Sequence, residues 1–128
     1  MKSKDLLLEF KNEMIEGLSV KDGKGYFLMT IPFLDTENDC IQICVIQNDD
    51  GTLTISDDGG IFYQCEMAQL DFEKVRKKII ELIAPYRITI NENEIILITS
   101  PQFFTYHLRN YVQEMIFLSG LIKSKLLK

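Results

Sequence analysis

The chain has 128 residues, 46% of them apolar and 10% aromatic, with 14 Lys and Arg against 19 Asp and Glu and a net charge of −5. This fits one globular domain and excludes a disordered or fibrous chain, because apolar residues are plentiful while Gly and Pro number only seven and three. No uninterrupted apolar run exceeds four residues, Ile95 to Ile98 being one, whereas a membrane span needs about 20. The opening Met1-Lys2-Ser3-Lys4-Asp5 leads into charged amphipathic sequence rather than a signal peptide's apolar core.

Residues 4–16 read as an amphipathic helix, with Ser3 as N-cap, Leu6, Leu7, Phe10 and Met14 on one face, and Gly17 as the stop. Leu18 to Lys21 then lead into a hairpin-type turn at Asp22-Gly23, where glycine would supply a positive φ. Gly25 to Ile31 read as a strand ended by Pro32, which cannot donate to a ladder. After a polar loop at 34–38, Cys40 to Gln47 form a strand with Ile41, Ile43 and Val45 on one face. Asn48-Asp49-Asp50-Gly51 make the next turn, and Thr52 to Ser56 alternate as a strand with Leu53 and Ile55 inward.

Ser56-Asp57-Asp58-Gly59-Gly60 break this antiparallel meander, and Ile61 to Ala68 read as a short helical turn. Asp71 caps a helix over 72–84, striped by Phe72, Val75, Ile79, Ile80 and Ile83 and ended by Pro85. A second hairpin pairs Arg87–Ile90 with Glu94–Thr99 across Asn91-Glu92-Asn93, and Ser100-Pro101 then signal a helix start. A final helix reaching about Leu127 would span ~40 Å. Its positions Phe104, Leu108, Tyr111, Met115, Leu118 and Ile122 make a heptad-like seam, widened by Phe103, Val112, Ile116 and Leu121. Such a helix either lies on the sheet as core or uses its end, at Phe117, Leu118, Leu121 and Ile122, to join a second copy or another protein. The expected fold class is α+β: a meander and a second hairpin packed against the long C-terminal helix, with N-terminal and middle helices, in one domain over 1–128.

Three cysteines, Cys40, Cys44 and Cys65, cannot all pair within one molecule, which together with the opening sequence suggests free thiols in a reducing cytoplasm. Cys40 and Cys44 share a strand face but stand ~13 Å apart, too far for one zinc ion even with His107, the sole histidine, and the expectation is no metal and no cofactor. Phosphate-loop, dinucleotide, nucleophile-elbow and zinc-protease signatures are all missing. A Cys–His dyad through His107 competes with a hydrogen-bonded structural role for that residue.

The charge is uneven: Asp35, Glu37, Asp39, Asp49, Asp50, Asp57 and Asp58 fall in one stretch without a single base. Gathered on one face, they would generate a negative potential that repels nucleic acid and attracts a basic protein groove. The Ser-Asp-Asp-Gly-Gly step is either a turn whose carboxylates bond their own backbone or, with Asp39, Asp57 and Asp58, a set of oxygen ligands for a divalent cation in a metal-dependent enzyme.

Thr30-Ile31-Pro32-Phe33, Asp39-x-Ile41-x-Ile43 and Ser56-Asp57-Asp58-Gly59, followed by a hairpin and one long helix over Glu94 to Ile122, resemble a small domain family of bacteria and their prophages without an assigned activity. The resemblance implies a mobile-element setting, in which small acidic proteins bind and block host machinery. The leading expectation is therefore a non-enzymatic protein-binding module, an inhibitor of a host nucleic-acid-handling defence complex acting through the acidic face. Its partner would be a protein, with no direct nucleic acid and no membrane. The alternatives are the metal-dependent enzyme and a self-associating module joined through the last helix.

Overall fold

The computed structural model describes residues 2–34 and 40–124. In chain order its elements are α1 (Ser3–Gly17), β1 (Ser19–Asp22), β2 (Tyr26–Leu34), β3 (Cys40–Gln47), β4 (Leu53–Ser56), α2 (Gly60–Met67), α3 (Phe72–Ile83), β5 (Thr89–Asn91), β6 (Glu94–Thr99) and α4 (Phe104–Lys123). The fold is α+β. Its strands form one antiparallel sheet in the order β1-β2-β3-β4-β6-β5, so the meander and the second hairpin are joined by β4 pairing with β6.

The strands bury alternate residues, as a period of two requires when one face is covered. Ile31, Ile41, Ile43, Val45, Ile55, Ile95 and Leu97 make the inner face, and α2, α3 and α4 add Ile61, Val75, Ile79, Ile83, Tyr111, Met115 and Leu118 to the same core. The seam of α4 faces this core: Tyr111, Met115, Leu118 and Ile122 are buried, and Phe104 and Leu108 pack against it. Tyr111 fixes the seating by donating its hydroxyl to the Ile95 carbonyl at 2.5 Å.

Several element ends differ from the sequence reading. Ser3 begins α1 rather than capping it; Lys2 is the N-cap, and its N–H donates to the Asp5 carboxylate at 3.4 Å. Gly17 is the last helical residue and packs against Pro32 so closely that a Cβ would collide with that ring. Proximity, not a left-handed cap, explains this glycine. Pro32 does not end β2; the strand continues to Leu34 across a register break between Ile31 and Leu34, an irregularity that accommodates a residue unable to donate. In the first hairpin the positive φ belongs to Gly25, not Gly23. Pro101 opens a 3-10 turn, and α4 then begins at Phe104 with no side-chain cap from Ser100, so it spans 20 residues, about 30 Å.

Candidate functional site

The Ser-Asp-Asp-Gly step is the densest polar constellation among the described residues. β4 ends at Ser56, whose hydroxyl donates to the Glu94 carboxylate at 2.6 Å and accepts from the Asp58 N–H at 3.0 Å. The Asp57 carboxylate accepts from Gly59 N–H (3.0 Å), Ile61 N–H (2.9 Å) and Ile95 N–H (3.0 Å). One half-buried side chain thus satisfies the start of α2 and ties it to β6. Asp58 and Gly59 both have positive φ, which turns the chain sharply from strand to helix. Burial pushes the Asp57 carboxyl above the usual carboxylate range, against the opposing pull of its backbone hydrogen bonds. The turn reading of this motif is the one the hydrogen bonds show.

Beside this turn opens a cleft of about 620 Å³. It arises because β3 pairs with β4 only over Cys44 to Gln47, leaving Ile41 to Ile43 facing the start of α2 and the end of α4. Leu28, Ile41, Ile43 and Met115 give it an apolar lining, with Gln42, Asp58 and Gln64 as polar groups. Gln64 already accepts from the Ser119 hydroxyl at 2.8 Å. The lining also carries the Asp57 carboxylate and the Tyr63 and Ser119 hydroxyls, of which Asp57 and Ser119 are bonded within the fold.

The described acids of this stretch lie at two places. Asp49 and Asp50 sit in the β3–β4 turn, whereas Asp57 and Asp58 lie at the other end of β4, separated by its length of ~13 Å. Asp50 is engaged in its turn: its carboxylate accepts from the Thr52 N–H (2.9 Å) and hydroxyl (2.6 Å), bonds that hold it below the usual range. Asp49 and Asp58 are exposed, while Asp57 serves the fold. Asp35, Glu37 and Asp39 lie outside the described residues.

The other candidates are likewise absorbed. His107 Nδ1 and the Thr99 hydroxyl share a hydrogen bond of 2.5 Å. Cys44 and Cys65 are free thiols; burial raises both, Cys65 to about 11, and the nearby Asp58 and Glu94 charges raise Cys44 further. Neither is a ready thiolate at neutral pH. Among the described residues no three His, Cys, Asp or Glu side chains gather as a metal site, and no helix is long and apolar enough to cross a membrane. Of the residues expected to mediate self-association, Leu118 and Ile122 are core, Leu121 packs against it, and only Phe117 is exposed. The seam that suggested a second helix is satisfied by the chain's own sheet.

Sequence reasoning missed the exposure of α1. None of its residues is buried, and Leu6, Leu7, Leu8, Phe10 and Ile15 are all more than half exposed. The apolar periodicity was visible; that no described residue buries it was not.

No curated protein and no solved structure matches the chain. A family model described as domain of unknown function DUF1828 matches residues 31–118, from the middle of β2 to the buried part of α4. This span holds the Ser-Asp-Asp-Gly turn, the cleft and nearly all of the core, and it leaves α1 and β1 outside the match. The chain belongs to the DUF1828 family.

Proposed function

We propose that this protein is a non-enzymatic protein-binding module whose docking element is α1. The observation that carries this reading is the exposure of Leu6, Leu7 and Phe10, which share one stripe of a helix without a buried residue, Leu8 and Ile15 being exposed on its other side. A helix is stabilised mainly by burying its apolar face, and contiguous exposed apolar surface marks an interaction site. The side chains capable of chemistry point the same way, since Asp57, His107 and Cys65 are engaged in or enclosed by the fold.

Inhibition of a nucleic-acid-handling host complex is the finer form of this reading. Among the described residues it now rests on Asp49, Asp50 and Asp58, divided between two ends of β4, so apolar docking takes precedence over an acidic decoy. Affinity capture from a lysate of the source cells, with three baits, separates the two. The wild-type chain should retain a protein that Leu7→Glu with Phe10→Glu releases and that Asp49→Asn with Asp50→Asn keeps. Retention that follows the aspartates, and that falls steeply with salt, would restore the acidic surface and overturn the α1 reading.

A further inference from the structure

The cleft beside the Ser-Asp-Asp-Gly turn is bounded on one side by strand backbone. In an antiparallel sheet, successive residues of a central strand send their N–H and C=O groups to opposite neighbours. The Gln47 N–H donates to the Gly25 carbonyl, on the β2 side, and the Asn48 N–H donates to the Thr52 carbonyl, on the β4 side. Odd-numbered residues of β3 therefore bond toward β2 and even-numbered ones toward β4, where Cys44 and Ile46 meet Ser56 and Thr54. Continued by two residues, this register would set Gln42 opposite Asp58. Instead β4 ends at Ser56, and the positive φ of Asp58 carries the chain away into α2. The N–H and C=O of Gln42 thus point to a position that β4 has left, and Gln42 lines the cleft.

We propose that this cleft takes an extended basic peptide segment of a partner protein, added to the edge of β3 along the line that β4 vacates. Strand addition of this kind draws affinity from main-chain hydrogen bonds and selectivity from alternate side chains. The volume of about 620 Å³ falls within the range of ligand sites. Ile41, Ile43, Ile61 and Met115 give the segment an apolar wall. Asp58 is exposed beside it, and none of the described lining residues is Lys, Arg or His. That charge suits a segment in which an apolar residue stands next to Lys or Arg. The site is separate from α1 and does not depend on docking through that helix.

Selection from a displayed library of random heptapeptides on the immobilised full chain supplies the probe. Enriched peptides should combine an apolar residue with Lys or Arg, and the best of them is then made with single N-methyl groups along its backbone. Only alternate amides of a strand seated on β3 face it, so methylation at every second amide should weaken binding at least about tenfold, with little effect between them. Hydrogen exchange reads the same contact from the protein. In the free chain the Gln42 amide should exchange faster than those of Ile41 and Ile43, which face β2, and the peptide should slow it. Asp58→Asn should weaken binding about two- to fivefold. Gly60 lines the cleft and a Cβ there meets no atom within 4 Å, so Gly60→Leu should fold and obstruct the peptide. No enrichment, enrichment of acidic peptides, or methyl groups tolerated alike at every amide overturns the proposal. A Gln42 amide already protected in the free chain does the same. Binding that Leu7→Glu with Phe10→Glu abolishes and Gly60→Leu leaves intact places the peptide on α1, which supports the docking helix and overturns the cleft.

Discussion

The body of this molecule and its N-terminal arm use similar residues in opposite ways. In the body, Ile43, Val45, Ile55 and Ile95 are fully enclosed, and polar groups such as Asp57, Ser56 and Tyr111 have internal partners. In α1, leucine and phenylalanine side chains face outward, and β1 is an exposed edge strand. The body thus encloses its apolar side chains, while the arm leaves most of its own exposed. Hydrophobic burial contributes in proportion to the apolar area removed from water, about 25 cal/mol per Å². The arm holds most of its share of that area unspent.

The sharpest contrast comes from the same truncation made in both regions. Ile55→Ala should cost about 2–5 kcal/mol in urea unfolding, because it leaves a cavity in a fully enclosed site. A cost under ~1 kcal/mol would show the inner layer to be loosely packed. Asp57→Ala comes next, at about 2–4 kcal/mol, since the N–H groups of Gly59, Ile61 and Ile95 all lose their acceptor. A neutral result would mean that water replaces the carboxylate and that the turn is not the joint between α2 and β6. Tyr111→Phe should cost about 1–2 kcal/mol by leaving the Ile95 carbonyl without its buried donor. At the other extreme, Leu7→Ala should change the stability of the dilute chain by no more than about 0.5 kcal/mol, which thermal unfolding at low concentration measures. A larger loss there would show that α1 is part of the body after all.

A pH series refines the role of Asp57. Its carboxyl is raised in the folded chain, so the native state holds the proton to a higher pH than the unfolded state. The contribution of this group to stability is therefore greatest in acid and declines as pH rises from the ordinary carboxylate value, 3.8, through the raised one, after which it is flat. The stability advantage of wild type over Asp57→Asn should shrink across that window. An advantage that grows with pH would show that the three backbone donors outweigh burial.

Most elements of the body were legible in the sequence because their causes are local. Alternation gave β3 and β4, the hairpin reading gave β6, the stripe of Phe72, Val75, Ile79, Ile80 and Ile83 gave α3 although Phe72 and Ile80 are exposed, and Asp71 caps that helix as read, accepting from the Lys74 N–H at 3.1 Å. The candidate site was legible only as a motif. That Ser56-Asp57-Asp58-Gly59 make a turn follows from short-range chemistry, but the Ile95 N–H that Asp57 also receives is 38 residues away, and no local pattern names it. The heptad-like seam of α4 was ambiguous for the same reason: a stripe reports that a face will be covered without reporting by what.

By itself the sequence determined the α+β class, the positions of the turns and the identity of the inner-facing residues, because backbone geometry and side-chain period act over a few residues. Only the tertiary structure decided that β6 rather than β5 lies beside β4, that the described acids Asp49, Asp50, Asp57 and Asp58 divide between two ends of a strand, and that among the described residues α1 is not buried while α4 is. These outcomes depend on which distant surfaces meet, and that choice is made by packing over the whole chain rather than by any segment of it.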